Sequence, residues 1–399
     1  GGCLQTFVIV GLTSGVFSVY LPYLINDYHF TNTQTSTLIA LRASLAFAAL
    51  FLMTGYLRLL DIRLGLAVAG LCSAASFFLY GFAADNYPVA LVAACLAGMA
   101  YGFGGMVPVT IIIGRWFKDH NATALGFCAA GSGVAAIAGP IAITALTETF
   151  SVPAAFTVES GVITLIVAVI FLLVRNRPID TPTEPDAPAP EVGGVPVAPA
   201  EGPGMSRRGF LLMLAGITML GGFATTGNAH LAVLFRSEGF TAVEIALLLS
   251  AEGIAMTVGK GLFGVIADAV GTFRANFLYF LVAIAGYALC MVSARTHDTA
   301  LAVTAVSLAG VGLSLATVGL AVWVTELSSA AEFERNVKRM QIAYVSGAVL
   351  VGVMPGFLAD TLGSYIPAYI IFTGFAAATM VIVQTQYVIQ GTHRGKNKH

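Results

Sequence analysis

Twelve apolar segments of about twenty residues follow one another along this chain. A helix needs about 20 apolar residues to cross a bilayer, and backbone polar groups inside the bilayer must be bonded within the protein. The first six predicted spans are Leu4–Ile25, Thr37–Tyr56, Leu64–Ala84, Ala90–Ile113, Ala122–Leu146 and Ala154–Val174. The second six are Phe210–Phe235, Val243–Ala267, Asn276–Ala294, Ala300–Val324, Gln341–Ala359 and Ile366–Ile389. The pattern predicts an all-α membrane protein with twelve transmembrane helices.

The composition agrees with a membrane protein and excludes an ordinary soluble domain. Of the 399 residues, 57% are hydrophobic and 10% are charged, whereas soluble domains carry about 25% charged residues. The formal net charge of −1 gives no reason to expect a nucleic-acid partner. We predict that the apolar residues at the start form the first span rather than a cleaved signal peptide, because they are long and lack an A-x-A site.

The spans fall into two sets of six, separated by a segment of different composition. Residues Arg175–Gly209 are rich in Pro, Ala, Gly and acidic residues. Such a segment cannot bury an apolar core, so we predict a flexible cytoplasmic linker there. Residues 1–174 are then predicted to form an N-terminal six-helix bundle, and residues 210–399 a C-terminal six-helix bundle with a short basic tail.

The distribution of lysine and arginine indicates how the chain crosses the membrane. If both termini are cytoplasmic, the inner loops and ends carry fifteen of these residues and the outer loops carry only Arg236 and Arg295. Because cytoplasmic loops are enriched in basic residues, we predict a multi-pass protein of the plasma (inner) membrane with both termini in the cytoplasm. The remaining two basic residues, Arg42 and Lys260, fall within spans.

Lys260 lies inside the apolar stretch of the eighth predicted span. A lysine near the centre of a membrane span costs roughly 2.5–3.5 kcal/mol on insertion scales, so it normally faces a cavity and has a partner. We interpret Lys260 as an anion-binding cation. The alternative is a structural lysine paired with a carboxylate.

Two further residues within spans are candidates for carrying a proton. Glu252 precedes Lys260 by eight residues, and apolar surroundings favour the neutral form of a carboxyl group; a hydrogen-bonded acid between helices is the alternative. His230 stands near Asn228 in the seventh span, and histidine titrates in the physiological range. A packed, hydrogen-bonding histidine is the more common case. Glu159, in the sixth span, is interpreted as structural.

Enzyme motifs and ligand clusters are missing from the sequence. There is no Walker loop, no HExxH, no GxSxG and no pair of catalytic carboxylates. The five cysteines are scattered through apolar segments without a CxxC spacing, so we expect small buried residues rather than disulfides or metal ligands. We therefore expect no enzymatic activity, no cofactor and no metal. The expected partners of a monomeric chain are the lipid bilayer, a small substrate and protons.

The loop after the eighth span carries Gly264, Asp268 and Gly271 in a G-x-x-x-D-x-x-G spacing, and the loop after the second span keeps Asp61 and Arg63 in a shifted form of this pattern. With one motif in each half, the chain resembles the major facilitator superfamily over nearly its whole length. The resemblance implies two pseudo-symmetric six-helix bundles that work by alternating access. It also implies that the motif residues gate the transporter by latching one state closed; a simple cap at the helix ends is the alternative.

The same resemblance bears on Arg42. In that superfamily the second span lies against the eleventh, so Arg42 becomes a candidate for closing the outer gate or attracting anions. The alternative is an arginine that extends to the outer lipid head groups.

Within the superfamily, Gly114–Ala135 (GRWFKDHNATALGFCAAGSGVA) resembles the monocarboxylate and oxalate–formate porter branch. That branch has a basic residue eight positions before the loop aspartate, typically an arginine that engages the substrate carboxylate, and this chain has Lys260 there. Oxalate relatives line their cavity with aromatic residues, which makes Tyr20, Trp323 and Tyr344 candidates for substrate binding. For Tyr20 and Trp323, positions in the interfacial aromatic belt are the alternative.

The resemblance and the residues together predict a secondary active transporter of a small, monocarboxylate-like organic anion, working by proton-coupled symport or anion exchange. The eleventh span, QIAYVSGAVLVGVMPGFLA, lacks the second basic residue of oxalate exchangers, which favours one carboxylate group over two. The alternative function is an exporter of amphipathic small molecules, whose transport would not depend on Lys260. A membrane receptor that binds without transporting is a more distant alternative.

Overall fold

The computed structural model describes residues 1–116, 121–174, 204–329 and 332–396. Within these ranges the chain is helical and has no β-strand. Twelve of its helical segments are long and apolar enough to cross a membrane, which confirms the predicted all-α fold class with twelve spans. Most observed span ends lie within a few residues of the predicted ones.

The chain divides into two compact units, Gly1–Val195 and Pro196–His399. The first unit contains spans 1 to 6. Span 1 consists of an α-helix Gly2–Thr6, a π-helix Phe7–Gly15, a 3₁₀-helix Val16–Tyr20 and an α-helix Leu21–Asn26. Span 2 is Asn32–Leu59, span 3 is Ile62–Gly81, span 4 is divided into Tyr87–Gly104 and Met106–Trp116, span 5 is Asn121–Thr149 and span 6 is Val152–Leu173.

The second unit contains spans 7 to 12. Span 7 consists of Arg207–Gly221, a π-helix Gly222–Gly227 and Leu231–Ser237, span 8 is Ala242–Val270, and span 9 is Thr272–Thr296. Span 10 consists of Thr299–Gly312, a 3₁₀-helix Leu313–Ala316 and Val318–Leu327, span 11 of Phe333–Val351 and Met354–Leu362, and span 12 is Ile366–Lys396. Of the predicted linker, residues 175–203 lie outside the described residues, and its last three residues already belong to the first helix of span 7.

The two units share a pair of helix irregularities. The first span of each unit contains a π-helix, and the fourth span of each is interrupted, at Gly105 in span 4 and by the 3₁₀-helix Leu313–Ala316 in span 10. π-helical turns are rare and frequent at functional sites, and 3₁₀ stretches inside a helix often mark hinges. Irregular backbone at membrane depth is tolerated only where protein or a cavity covers it. Spans 1, 4, 7 and 10 are therefore the parts of the two units best suited to a functional site.

Spans 2 and 8 begin in the same way. Thr31 and Gln34 form a capping box at the start of span 2, and Thr241 and Glu244 form one at the start of span 8. A capping box satisfies two backbone donors of the first helical turn, so it fixes the residue at which each span begins. Counting from the capping threonine relates each residue of span 2 to a residue of span 8.

Direct backbone contacts hold the helices of each unit together. In the second unit, a Cβ atom added to Gly221 would collide with the carbonyl oxygen of Tyr344, and one added to Gly347 would collide with that of Thr218. Spans 7 and 11 therefore cross with no side chain between them, which is a common packing mode of membrane helices. Some large apolar side chains remain exposed, such as Leu350 with 74% exposure.

Candidate functional site

Span 8 carries the two ionisable residues on which the functional prediction depends. Lys260 lies ten residues, about 15 Å, before the C-terminal end of helix Ala242–Val270. Its side chain is half-buried, and it forms no hydrogen bond or ion pair with any residue that the structure describes. Among the described residues of its unit, Lys260 therefore has no ion-pair partner.

Packing at Gly259 fixes the backbone next to Lys260. A Cβ atom on Gly259 would lie 2.8 Å from Ser314 Oγ in the 3₁₀ segment of span 10. Tyr279 of span 9 donates a hydrogen bond from its hydroxyl to the Gly259 carbonyl, with a length of 2.8 Å. Gly261, on the other side of the lysine, has no atom within 4 Å of its Cβ position. Spans 9 and 10 thus hold the helix at Lys260, while its ammonium group forms no ion pair with the part of the chain that the structure describes.

Glu252 lies on the same helix as Lys260 and is only 5% exposed. Its Oε1 atom has no hydrogen-bond partner among the described residues. Its backbone carbonyl is covered by Gly310 of span 10, where a Cβ atom would lie 2.5 Å from that oxygen. The eight residues between Glu252 and Lys260 correspond to about 12 Å along the helix, and the two form no ion pair. The role of Glu252 in proton binding stays a prediction.

Two of the three aromatic candidates lie in the cores of their units. Tyr20 is fully buried, stacks on Phe156 with 3.9 Å between ring centroids, and donates a hydrogen bond of 2.6 Å to Glu159 Oε2. Trp323 is also fully buried and donates from Nε1 to Asn276 Oδ1 over 2.9 Å. These contacts give both aromatic residues a packing role, and their part in substrate binding stays a prediction.

The third aromatic candidate, Tyr344, is only half-buried. Its hydroxyl shares a hydrogen bond of 3.0 Å with Thr225 Oγ1 in the π-helix of span 7. The contact joins span 11 to the irregular part of span 7, where a π-helix favours a functional site. Tyr344 is the least buried of the three aromatic candidates, and its part in substrate binding stays a prediction.

The Tyr20–Glu159 hydrogen bond predicts a measurable effect on stability. Replacing Tyr20 by phenylalanine keeps the ring that stacks on Phe156 and removes the donor to Glu159. Because Glu159 Oε1 has no partner among the described residues, the buried carboxyl group would lose its Tyr20 bond without replacement. We expect Tyr20→Phe to lower stability by about 1–3 kcal/mol, measured as a lower midpoint of thermal unfolding. An unchanged midpoint together with lost substrate binding would favour the predicted binding role instead.

His230 lies just after the π-helix of span 7 and is 1% exposed. Its Nδ1 atom is 2.7 Å from the Thr226 carbonyl oxygen, and because a carbonyl only accepts, Nδ1 carries the proton and donates it. Its ring centroid lies 6.2 Å from that of Tyr365 in the loop before span 12, where burial raises the pKa of the Tyr365 hydroxyl. These contacts fit a packed histidine, and the proton-coupling role of His230 stays a prediction.

Arg42 lies deeper in span 2 than an arginine that reaches the outer head groups. It stands eleven residues after Thr31, about 15 Å into the helix, and is 9% exposed. Its Nη1 donates a hydrogen bond of 3.0 Å to the Thr13 carbonyl in the π-helix of span 1. Its guanidinium carbon is 5.0 Å from the centroid of the Phe17 ring. The side chain is therefore an internal part of the first unit, and its gating role stays a prediction.

The motif residues after span 2 have different surroundings. Asp61 is exposed and stands at the start of span 3 without a capping hydrogen bond. Arg63 donates from Nε to the Phe171 carbonyl over 2.7 Å and covers the Phe171 ring at 4.0 Å. Arg63 thus joins spans 3 and 6 within the first unit. A latching role for either residue stays a prediction.

The motif residues after span 8 mark the end of that helix. Gly271 has a φ of +87° and ends span 8, which explains the glycine because other residues rarely adopt this conformation. Asp268 is exposed, and it forms no hydrogen bond or ion pair with the described part of the chain. Gly264 has open space at its Cβ position. Their gating role also stays a prediction.

Sequence reasoning missed several buried polar groups in the second unit. The hydroxyls of Ser250 and Ser314 and the Asn276 Nδ2 atom are buried without a hydrogen-bond partner among the described residues. Nothing in the sequence separates these residues from other small or polar residues of apolar spans. In the described ranges, no group of three or more His, Cys, Asp and Glu side chains is arranged to hold a metal ion.

Comparisons with known proteins agree with this architecture. The family model described as the Major Facilitator Superfamily matches residues 4–335. Monocarboxylate transporter 13 of Rattus norvegicus is 23% identical over 309 residues, which cover 77% of this chain and 69% of that protein.

Two solved structures are similar over almost the whole chain. A mutant of the nucleoside transporter NupG gives a TM-score of 0.74 at 13% identity, covering 97% of this chain and 100% of that one. A bacterial homologue of the human lysosomal transporter Spinster, inward-facing and occupied, gives a TM-score of 0.68 at 12% identity, covering 98% and 95%. At these identities the likeness concerns the fold alone.

Proposed function

The chain belongs to the major facilitator superfamily, and from this premise we propose that it is a secondary active transporter of a small organic anion of the monocarboxylate type. Members of the family and its structural neighbours are transporters rather than enzymes. We place the protein in the plasma (inner) membrane with both termini cytoplasmic, because the predicted inner loops hold most of the lysines and arginines.

The unpaired ammonium group of Lys260 carries the proposal. A cation inside a membrane span costs several kcal/mol unless it is paired, and no described residue of the second unit forms an ion pair with Lys260. A substrate carboxylate is the partner whose charge compensates that ammonium. The similarity to monocarboxylate transporter 13 supports the same substrate class.

The ammonium group of Lys260, in place of a guanidinium, also limits the kind of anion that the site can bind. An ammonium is a compact point charge, whereas a guanidinium forms two parallel bonds to a planar carboxylate. Lys260 therefore suits a small carboxylate whose orientation is set by other groups, such as the Tyr344 hydroxyl and the irregular backbone of spans 7 and 10. Coupling follows from charge: either a second anion or a proton must compensate the lysine when the substrate leaves.

Flux through proteoliposomes tests the proposal. Purified full-length protein would be reconstituted and offered labelled monocarboxylates of increasing chain length, with oxalate, a nucleoside and a lipophilic cation in parallel. We expect saturable uptake of one or more monocarboxylates, driven by an inward proton gradient or by an opposing anion. Transport restricted to the lipophilic cation would support the amphipath exporter, and transport of the nucleoside alone would also contradict the proposal.

A substitution of Glu252 distinguishes proton-coupled symport from anion exchange. If Glu252 carries the coupled proton, Glu252→Gln holds this site in its neutral form, so a proton gradient should no longer drive accumulation while carboxylate-for-carboxylate exchange persists. The matched control is Glu244→Gln in the same helix. Glutamine serves in a capping box as glutamate does, and Gln34 already does so in span 2. Full accumulation by Glu252→Gln would remove Glu252 from coupling.

A further inference from the structure

Arg42 and Glu252 occupy the same position in the two halves of the fold. Each stands eleven residues after the threonine of a capping box, Thr31 in span 2 and Thr241 in span 8. The helices that pack against them repeat as well. A Cβ atom on Gly98 of span 4 would lie 2.6 Å from the Arg42 carbonyl oxygen, and one on Gly310 of span 10 would lie 2.5 Å from the Glu252 carbonyl oxygen.

The repeated contact separates what the fold needs from what the side chain adds. In both units the packing uses the backbone at this position and a glycine opposite it. The side chains, however, are of opposite charge, and each is at least nine-tenths buried. A packing requirement would select similar side chains in both halves, so the charge of Arg42 needs another explanation.

The hydrogen bonds of Arg42 leave most of its guanidinium unused. A guanidinium has five N–H donors, and the donation to the Thr13 carbonyl is the one hydrogen bond that Arg42 makes with described residues. The hydroxyl of Thr13 already has two partners of its own. It donates to the Val8 carbonyl, and its Oγ1 atom lies 2.6 Å from Ser73 Oγ. No carboxylate in the described part of the first unit forms an ion pair with Arg42.

We propose that Arg42 binds a planar oxyanion, such as a carboxylate, and forms an anion site within the first unit that does not require Lys260. A buried cation without a counter-ion in a membrane span is costly, and such residues usually mark substrate or ion pathways. The free edge of a guanidinium matches a planar carboxylate or a similar oxyanion through two parallel hydrogen bonds. Two contacts hold the guanidinium in place: the hydrogen bond from Arg42 to the Thr13 carbonyl in the π-helix of span 1, and the Phe17 ring beside it.

This site does not depend on the substrate proposed above. The planar oxyanion at Arg42 has two chemical sources, the carboxylate of an organic acid or a small inorganic anion. Propionate and nitrate represent the two sources, because both present coplanar oxygen atoms and only propionate carries a hydrocarbon tail.

Calorimetric titration of the purified full-length protein tests the proposal. Propionate and nitrate would be titrated into the native protein, Lys260→Gln, Arg42→Gln and the double variant. We expect Lys260→Gln to bind at least one of the anions saturably. The double variant should bind that anion at least about tenfold more weakly than Lys260→Gln does. Binding of propionate would assign the site to organic acids, and binding of nitrate alone to inorganic anions; both outcomes support an anion site.

Two results would overturn the proposal. The first is that the double variant binds both anions as tightly as Lys260→Gln does. The second is that the single variant Lys260→Gln, which still contains Arg42, binds neither anion. If Arg42→Gln does not fold, Arg42→Lys decides in its place, because lysine keeps the charge and loses the fork. The unfolding midpoint of Arg42→Lys should equal that of the native protein, and its affinity for the anion should be about three- to tenfold weaker. An affinity equal to that of the native protein would count against the site. Failure of the monocarboxylate proposal is seen separately, in the flux assay.

Discussion

Replacing Lys260 by glutamine is expected to reduce monocarboxylate uptake into proteoliposomes by about 10- to 100-fold at subsaturating substrate. Glutamine keeps much of the side-chain length and a donor but removes the charge. A hydrogen bond to a charged group contributes about 1.5–3 kcal/mol, and each 1.4 kcal/mol corresponds to about tenfold in affinity. The substrate carboxylate would lose its counter-ion in span 8, because no described residue replaces the ammonium. Initial rates of labelled substrate uptake measure the effect.

The matched control for this prediction is Lys338→Gln. Lys338 is an exposed lysine in the first helix of span 11, so the same chemical change occurs outside the apolar part of the unit and should leave uptake within about twofold of the native rate. Lys260→Arg should retain transport, since the charge stays in place. Native uptake by Lys260→Gln would remove Lys260 from substrate binding and return the amphipath exporter to consideration.

The twelve spans were predictable because the property that defines them is local. A stretch of about twenty apolar residues can be recognised without knowing what it packs against, and the observed helices match most predicted ends within a few residues. The irregular backbone was not predicted. Pairs of adjacent glycines mark two of these places, at Gly104 and Gly105 in span 4 and at Gly221 and Gly222 in span 7, but such pairs also occur in regular membrane helices.

The surroundings of individual side chains could be predicted only in part. The apolar span around Lys260 indicated an internal cation, and the structure places it half-buried without a counter-ion among the described residues. The partner of Tyr20 could not be found from the sequence, because Glu159 lies 139 residues away in span 6. The predicted start of span 2 at Thr37 puts Arg42 several residues inside its outer end, whereas the observed helix starts earlier, at Asn32. That start puts the arginine deeper in the unit.

The residue-by-residue correspondence between spans 2 and 8 is also visible in the sequence. The strings TNTQ and TAVE, beginning at Thr31 and Thr241, have the S/T-x-x-E/Q spacing of a capping box. Aligning them relates Arg42 to Glu252. Only the structure shows that Gly98 and Gly310 also contact the equivalent carbonyl groups, which turns a sequence alignment into a statement about packing.

Replacing Gly347 by alanine is expected to destabilise the second unit strongly. The added methyl group would collide with the Thr218 carbonyl oxygen and lie 2.8 Å from the Gly222 backbone nitrogen. These are backbone atoms of span 7, so no side chain can rotate away, and spans 7 and 11 must separate. Overpacking of this kind costs about 1–3 kcal/mol, which corresponds to a fall of about 2–12 °C in the unfolding midpoint of a unit of this size.

The matched control is Gly374→Ala in span 12, where the Cβ position has no atom within 4 Å. Both changes add one methyl group to a helical glycine, and alanine is the better helix former by about 1 kcal/mol. Gly374→Ala should therefore leave the midpoint unchanged or raise it slightly. The difference between the two variants isolates the helix crossing from helix propensity, and equal midpoints would show that spans 7 and 11 are not in backbone contact. Because the crossing adjoins the π-helix Gly222–Gly227 that holds Thr225 near Tyr344, Gly347→Ala should also slow transport in molecules that remain folded.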